Sequence, residues 1–247
     1  MRCDDYNKRY YTQKFSKEAE NYYQIHAGKV KRVLSLFETH HKGKILDIGC
    51  SDGYITERIA RITGAVPYGI DISSTSVNEA RKRGIKAKTF NMERGGLPYP
   101  ENTFDAIYCG DVIEHLFDTE KFLCAIRAML KPTGYLVLST PNIASWYNRF
   151  FLVMGLMPVW IESAPTVYVG NPIMKEPLGH IRAFTLRSLT ELLIKEGFYV
   201  DKAMGAPIYS DGSYNKYGEA IIQPVEKFFS NFKTLASVLL VKARPIN

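Results

Sequence analysis

Cysteine is scarce in this chain: Cys3, Cys50, Cys109 and Cys124 lie far apart among 247 residues, with no paired metal-ligand spacing. That scatter argues against a disulfide framework or a cysteine-based zinc module, and predicts reduced thiols in a cytoplasmic protein without a metal site. Long hydrophobic runs are lacking as well. The longest, from Trp146 to Ile161, is broken by Asn148 and Arg149 and falls short of the ~20 residues that a spanning helix needs. Met1 to Lys14 is polar, without the apolar stretch of a signal peptide. Acidic residues are the minority, 25 against 32 Lys and Arg, for a formal charge of +7. Such an excess admits nucleic acid or an anionic membrane surface as partners. Yet the basic residues fall in short groups, Lys29 with Lys31 and Arg32 or Arg81 with Lys82 and Arg83, which read as solvated helix faces. No RNA-binding module is appended, so a nucleic-acid partner is not expected; contact with a membrane surface and a homodimer both stay open. Internal repeats and low-complexity tracts are missing too.

What is present is ordinary globular usage, 46% apolar and 23% charged, enough to fill the core of one α/β domain. Ser16 to about Thr39 reads as a helix, giving an N-terminal helical segment over 1–40 ahead of a main domain over 41–247. Strand patterns then recur at 44–48, 66–72, 85–90, 104–109 and 134–140. Helical patterns separate most of them, at 54–61, 74–83 and 119–130. A further helix, 185–196, precedes strands near 198–204 and 234–242. This alternation implies right-handed crossovers and a doubly wound, Rossmann-like, mostly parallel seven-stranded sheet. The last two strands, with a loop between them, suggest an antiparallel hairpin at one edge. The stretch 142–182 is aromatic, proline-rich and aperiodic. A segment that long inside a compact domain is read as a lid or substrate-binding insertion, with packing against the sheet as the alternative.

The informative segment is Ile45 to Tyr54, which links a strand directly to a helix. Gly49 permits a tight turn near a ligand, and Gly53 a close approach at the helix start. Free N–H groups there favour an anionic group. Eighteen residues after Gly53 the second strand ends in Asp71, where a carboxylate can accept from both ribose hydroxyls of an adenosine. The order Gly49, Cys50, Ser51, Asp52, Gly53 is not the G-x-G-x-x-G that a dinucleotide diphosphate wants. Asp47 in front of it suits a cation instead. A nucleoside with a zwitterionic, cationic tail satisfies all of these features.

With its companions, this segment resembles the first motif of class I S-adenosylmethionine-dependent methyltransferases of small-molecule type. Tyr68 to Ser73 is similar to their second motif, Lys88 to Leu116 to the third and fourth, and Met129 to Asn142 to the run into the fifth strand. Gly179 to Phe198 is similar to a later segment of the same group. The resemblance implies S-adenosylmethionine as cofactor, S-adenosylhomocysteine as product, and a cofactor shell of Asp47, Gly49, Cys50, Gly53, Asp71, Ile72, Asn91, Met92 and Asp111. Asp47 would hold the amino group and Asp71 the ribose, with Ile72 beside the adenine. Asn91, where the family usually has Asp, would accept from the adenine amine through its side-chain oxygen, and the Met92 N–H would meet a ring nitrogen. Asp111 would lie near the methyl donor. Ser51 is a second departure, at a position where glycine is common.

Methyl transfer needs donor and acceptor held in line and water excluded, and a base only where the acceptor must lose a proton. His115 and His180 are the catalytic candidates, because imidazole exchanges protons near neutral pH. The expected acceptor is a small molecule, a glycan or a lipid-linked intermediate. An RNA or protein acceptor, or a silent protein of the same fold, is the alternative.

Overall fold

The computed structural model describes residues 23, 25–39, 42–96, 98–174, 176–208 and 216–246, with the side chains of 216–221 outside the description. Much of the predicted N-terminal helix therefore lies outside the described residues. Its described part is α1 (Ala27–Leu34). The chain then alternates through β1 (Lys44–Ile48), α2 (Tyr54–Thr63), β2 (Val66–Asp71), α3 (Ser74–Lys82) and β3 (Lys86–Thr89). It continues with β4 (Phe104–Gly110), α4 (Thr119–Met129), β5 (Leu130–Pro141), α5 (Trp146–Val153), α6 (Leu186–Lys195), β6 (Phe198–Ala206), α7 (Lys216–Phe229) and β7 (Val238–Pro245).

One seven-stranded sheet forms in the order β3-β2-β1-β4-β5-β7-β6. The first five strands are parallel; β7 runs antiparallel to both β5 and β6. The Rossmann-like sheet with an antiparallel edge is thus as the sequence suggested, but the link between β6 and β7 is not a loop. It contains α7, a helix with Pro224 inside it, and an interior proline is what hides such a helix from pattern reading.

The central strands are buried on both faces, which is why they read as near-continuous apolar runs. Along β5, Leu136 and Leu138 join the core layer containing Leu46, Ile107 and Leu123. Tyr135 and Val137 join the opposite layer with Val33, Ile45 and Ile59. That two-residue alternation pins the register, since a slip by one would exchange the two layers. Two cappings are built from local sequence: Ser73 Oγ accepts from Ser76 N–H at the start of α3, and Asp118 Oδ1 from Lys121 N–H at the start of α4. The carboxyl ends of β1, β2 and β4 open on adjacent turns, which places the cleft there.

Candidate active site

The turn after β1 is held before any ligand arrives. Gly49 and Cys50 N–H both donate to Ile70 O, at 2.8 and 3.0 Å. Gly49 has φ +77°, and a Cβ on it would lie 2.5 Å from Val112 Cγ2, so this glycine lets the β1 and β4 turns meet. Gly53, at φ +80°, makes a different close approach: its Cβ would strike Ile85 and Ala80. It serves helix packing and does not line the cleft. Asp52 Oδ1 accepts from Tyr54 N–H at 3.1 Å. One of the amides expected to be open to an anionic ligand is therefore capped by the turn's own carboxylate. Ser51 occupies the left-handed region at φ +48°, which explains why glycine is common at this position.

A cleft of about 240 Å³ lies over these turns. Eight of the nine predicted cofactor-shell residues line it, Gly53 being the exception, and His115 lines it as well. Asp47 is 3% exposed. Its Oδ2 accepts from Thr56 Oγ1 at 2.5 Å, whereas Oδ1 is buried without a hydrogen-bond partner among the described residues. Burial, with Asp71 and Asp52 nearby, pushes its carboxyl up to about 7. Asp71 is differently placed. Its Oδ2 accepts from Ser51 N–H at 2.9 Å and its Oδ1 from Ser73 N–H at 2.8 Å. Burial raises its pKa, and these two amides partly offset the rise.

Asn91 does line the cleft, but its Oδ1 accepts from Glu93 N–H at 2.9 Å and caps the short turn Met92–Arg94. The oxygen assigned to adenine thus already has a structural task, and Asn is suited to it at this position. Asp111 forms an ion pair with Lys29 of α1 and accepts from Ser139 Oγ at 3.0 Å. Burial would push its carboxyl up; the Lys29 ammonium and the Ser139 hydroxyl outweigh that and hold it below the usual range.

His115 Nδ1 lies 3.0 Å from Gly179 O, and His180 Nδ1 lies 3.0 Å from Trp160 O. The two rings sit 4.7 Å apart. Burial lowers both pKa values, that of His180 to about 3, with His115 adding to the effect there. His180 does not line the cleft; it stands behind His115. The pair comes from distant parts of the chain, and Glu114 joins it: one ligand atom from each of the three lies within 4.8 Å of the others. Cysteine spacing gave no sign of such a grouping.

Sequence reasoning did not single out Lys29. Tyr23 and His26 before α1, and Lys29 and Val30 within it, line the cleft, while the described residues of 142–182 do not. Lys29 is 9% exposed, on the same helical face as Val33 four residues on. A lysine on an apolar face was the available signal. Ser51 was also missed: it lines the cleft, and its hydroxyl is buried without a hydrogen-bond partner among the described residues.

The methyltransferase-domain family matches residues 19–203. The chain belongs to this family, and its fold and motifs are those of the class I S-adenosylmethionine-dependent methyltransferases. It is 34% identical over 133 residues to a demethylmenaquinone methyltransferase of Tropheryma whipplei (strain Twist), covering 51% of this chain and 55% of that protein. The chain thus spans about half the length of this curated relative. A methyltransferase solved in complex with the Trm112 methyltransferase activator of Haloferax volcanii superposes with a TM-score of 0.68 at 12% identity, over 99% of this chain and 98% of that one. The 1,6-didemethyltoxoflavin-N1-methyltransferase of Burkholderia thailandensis, solved with its acceptor and S-adenosylhomocysteine, superposes with a TM-score of 0.60 at 15% identity, over 98% and 88%. At these identities the two structures speak for the fold.

The family's cofactor is S-adenosylmethionine, and the cleft fits it. A buried, unpartnered carboxylate oxygen is costly unless a cation or donor meets it. Asp47 Oδ1 offers that partner site beside a glycine turn, with a second carboxylate, Asp71, one strand away. No helix among the described residues is long and apolar enough to cross a membrane.

Proposed function

We propose that this protein transfers a methyl group to a small-molecule acceptor, and the observation that carries the proposal is Asp47 Oδ1 in the cleft wall, buried without a partner among the described residues. The bound cofactor supplies an electrophilic methyl on a sulfonium, with an ammonium and an adenosine as handles. Asp47 holds the ammonium, because ionising a buried carboxylate needs a cation close by. Asp71 accepts from the ribose hydroxyls with the lone pairs that Ser51 and Ser73 leave open. Gly49, Cys50, Ile72 and Met92 shape the walls, and Asn91 fixes the turn at the adenine end. The Lys29–Asp111 pair closes α1 over the cleft and helps to exclude water.

His115 is the member of the histidine pair placed to meet the acceptor, with His180 bracing it from behind. The insertion 142–182 shapes the acceptor side through its terminal segment: Ile181 and Arg182 N–H donate to Glu114 O at 2.9 and 3.0 Å. A small acceptor is favoured over a polynucleotide because several basic side chains are tied within the fold. Arg32 donates to Gly205 O and Ser230 O at 2.6 Å, Lys131 pairs with Asp105, and Arg83 with Asp52. The names of the Tropheryma and Burkholderia proteins, a demethylmenaquinone and a toxoflavin methyltransferase, point the same way.

Calorimetry tests the cofactor assignment. The protein is expected to bind S-adenosylhomocysteine and not NAD, and Asp71→Ala to weaken that binding at least tenfold through loss of charge-assisted hydrogen bonds worth ~1.5–3 kcal/mol each. Binding of NAD but not of S-adenosylhomocysteine would overturn the proposal.

A further inference from the structure

Glu114 is 1% exposed, and its two carboxylate oxygens are unequally served. Oε2 accepts from Thr140 Oγ1 at 3.0 Å, while Oε1 has no hydrogen-bond partner among the described residues. Leaving such an oxygen unmatched costs ~1–3 kcal/mol or more. The neighbouring imidazoles are oriented in a definite way. Gly179 O and Trp160 O can only accept, so Nδ1 of His115 and Nδ1 of His180 must carry the proton. In each neutral ring the lone pair is then on Nε2.

We propose that Glu114, His115 and His180 form a binding site for one divalent transition-metal ion at the wall of the cleft. One ligand atom from each residue already lies within 4.8 Å of the others, so a small contraction brings them to bonding distance of a common ion. Two imidazole nitrogens and one carboxylate oxygen suit Zn²⁺, Co²⁺, Mn²⁺ or Fe²⁺ better than Ca²⁺ or Mg²⁺, which take oxygen ligands. Three protein ligands leave further coordination positions open, as in sites that bind a reactant rather than in closed structural ones. The supporting contacts are also present. Backbone carbonyls orient both rings, and Thr140 orients the carboxylate. The frame is tied across the fold, because Ile181 and Arg182 N–H hold the residue after His180 against Glu114 O.

His115 lines the cleft, so an ion on its ring borders the acceptor space. An acceptor hydroxyl coordinated there would lose its proton at lower pH, to bulk water. The His115 lone pair would be used by the ion, and the metal would replace the imidazole as the means of activation. This use of the site rests on the methyl-transfer proposal; occupancy by an ion does not.

The test takes the untagged full chain, dialysed against a chelator and then titrated with Co²⁺ followed by visible absorption, and with Zn²⁺ by calorimetry, both without cofactor. One equivalent of each is expected, with ligand-field bands for Co²⁺. His180→Asn keeps an N–H donor for Trp160 O and deletes the Nε2 ligand; it is expected to weaken both ions at least tenfold without a change in thermal midpoint, as is Glu114→Gln. Absence of binding in the wild type, or equal affinity in a folded His180→Asn protein, would overturn the site. S-adenosylhomocysteine binding is measured on the same metal-free sample. Metal binding without S-adenosylhomocysteine binding leaves the ion site standing and removes the methyl-transfer role, and the reverse removes only the ion.

Discussion

The two walls of the cleft are made by different means. The cofactor wall comes from the turns after β1, β2 and β4, and its contacts join neighbouring parts of the chain: Ser51 to Asp71, Thr56 to Asp47, Gly49 to Ile70. The opposite wall is assembled from distant pieces. Lys29 of α1 meets Asp111 after β4, and His115 is backed from outside the cleft by His180, at the end of a long insertion. A turn between a strand and a helix is fixed by a few neighbouring residues. A wall of distant pieces forms only once the whole sheet has ordered. The cofactor wall is therefore expected to keep its function when the other is disturbed, and to hold more unmet polar groups awaiting a ligand.

The largest effect expected concerns one such group, Asp47. Its folded pKa of about 7 stands above its ordinary 3.8, so folding favours the protonated form. Its contribution to stability is complete below pH ~4 and is lost as pH rises through ~7. The total is ~4 kcal/mol at most, at 1.36 kcal/mol per pKa unit. Asp47→Asn removes this dependence. In urea unfolding, the variant is expected to exceed the wild type in stability at pH 8 and to lose that lead towards pH 4, while binding S-adenosylhomocysteine far more weakly. Parallel stability–pH curves for the two proteins would show that Asp47 is not strained by burial.

The insertion supplies the converse test. Asn148 is fully buried; its Oδ1 accepts from Val159 N–H at 2.8 Å, and its Nδ2 donates to Val159 O at 3.2 Å. Asn148→Ala strands both backbone groups, for an expected loss of ~2–3 kcal/mol. Limited proteolysis is expected to cut first within 161–176, where Val167, Val169 and Ile173 are exposed, and to cut faster in the variant. S-adenosylhomocysteine affinity is expected to be retained, because no described residue of the insertion lines the cleft. If Asn148→Ala abolishes cofactor binding, the two walls are not independent.

The same contrast decides what could be read in the sequence. The sheet and its antiparallel edge were legible because short apolar runs alternate with helical patterns, and eight of the cleft-lining positions because the glycine turn and the motifs after it resemble those of the family. Lys29 was hidden because its partner Asp111 lies on another element; its place on the apolar face of α1, beside Val30 and Val33, was the only local sign of burial. His115 and His180 were visible as separate candidates, but their approach to each other depends on how 142–182 returns to the sheet. α7 was lost to Pro224, although Ile221, Ile222, Val225 and Phe229 keep a helical spacing. Asn91 was legible as a cleft position but not as a turn cap, because a capping oxygen and a ligand-binding oxygen are the same residue type at the same place.

The smallest effect expected, and the most direct probe of the cofactor wall, is at Ser51. A non-glycine residue in the left-handed region costs ~1–2 kcal/mol, and its φ is +48°. Its buried hydroxyl also has no partner among the described residues, which adds a desolvation cost. Ser51→Gly relieves both, against a loss of ~0.4–1 kcal/mol from the greater freedom of glycine in the unfolded chain. The net expectation is a gain of ~1 kcal/mol in the free protein, read as a rise in urea midpoint at constant slope. A residue kept at such a cost in a cleft points to a ligand contact. Calorimetry should therefore show S-adenosylhomocysteine bound more weakly by Ser51→Gly, by a few-fold, the worth of one neutral hydrogen bond of ~0.5–1.5 kcal/mol. A variant that is more stable and binds equally well would mean that the hydroxyl faces the cleft without touching the cofactor. A variant that is less stable would mean that the turn relies on Ser51 to hold Asp71, through the N–H that donates to Oδ2.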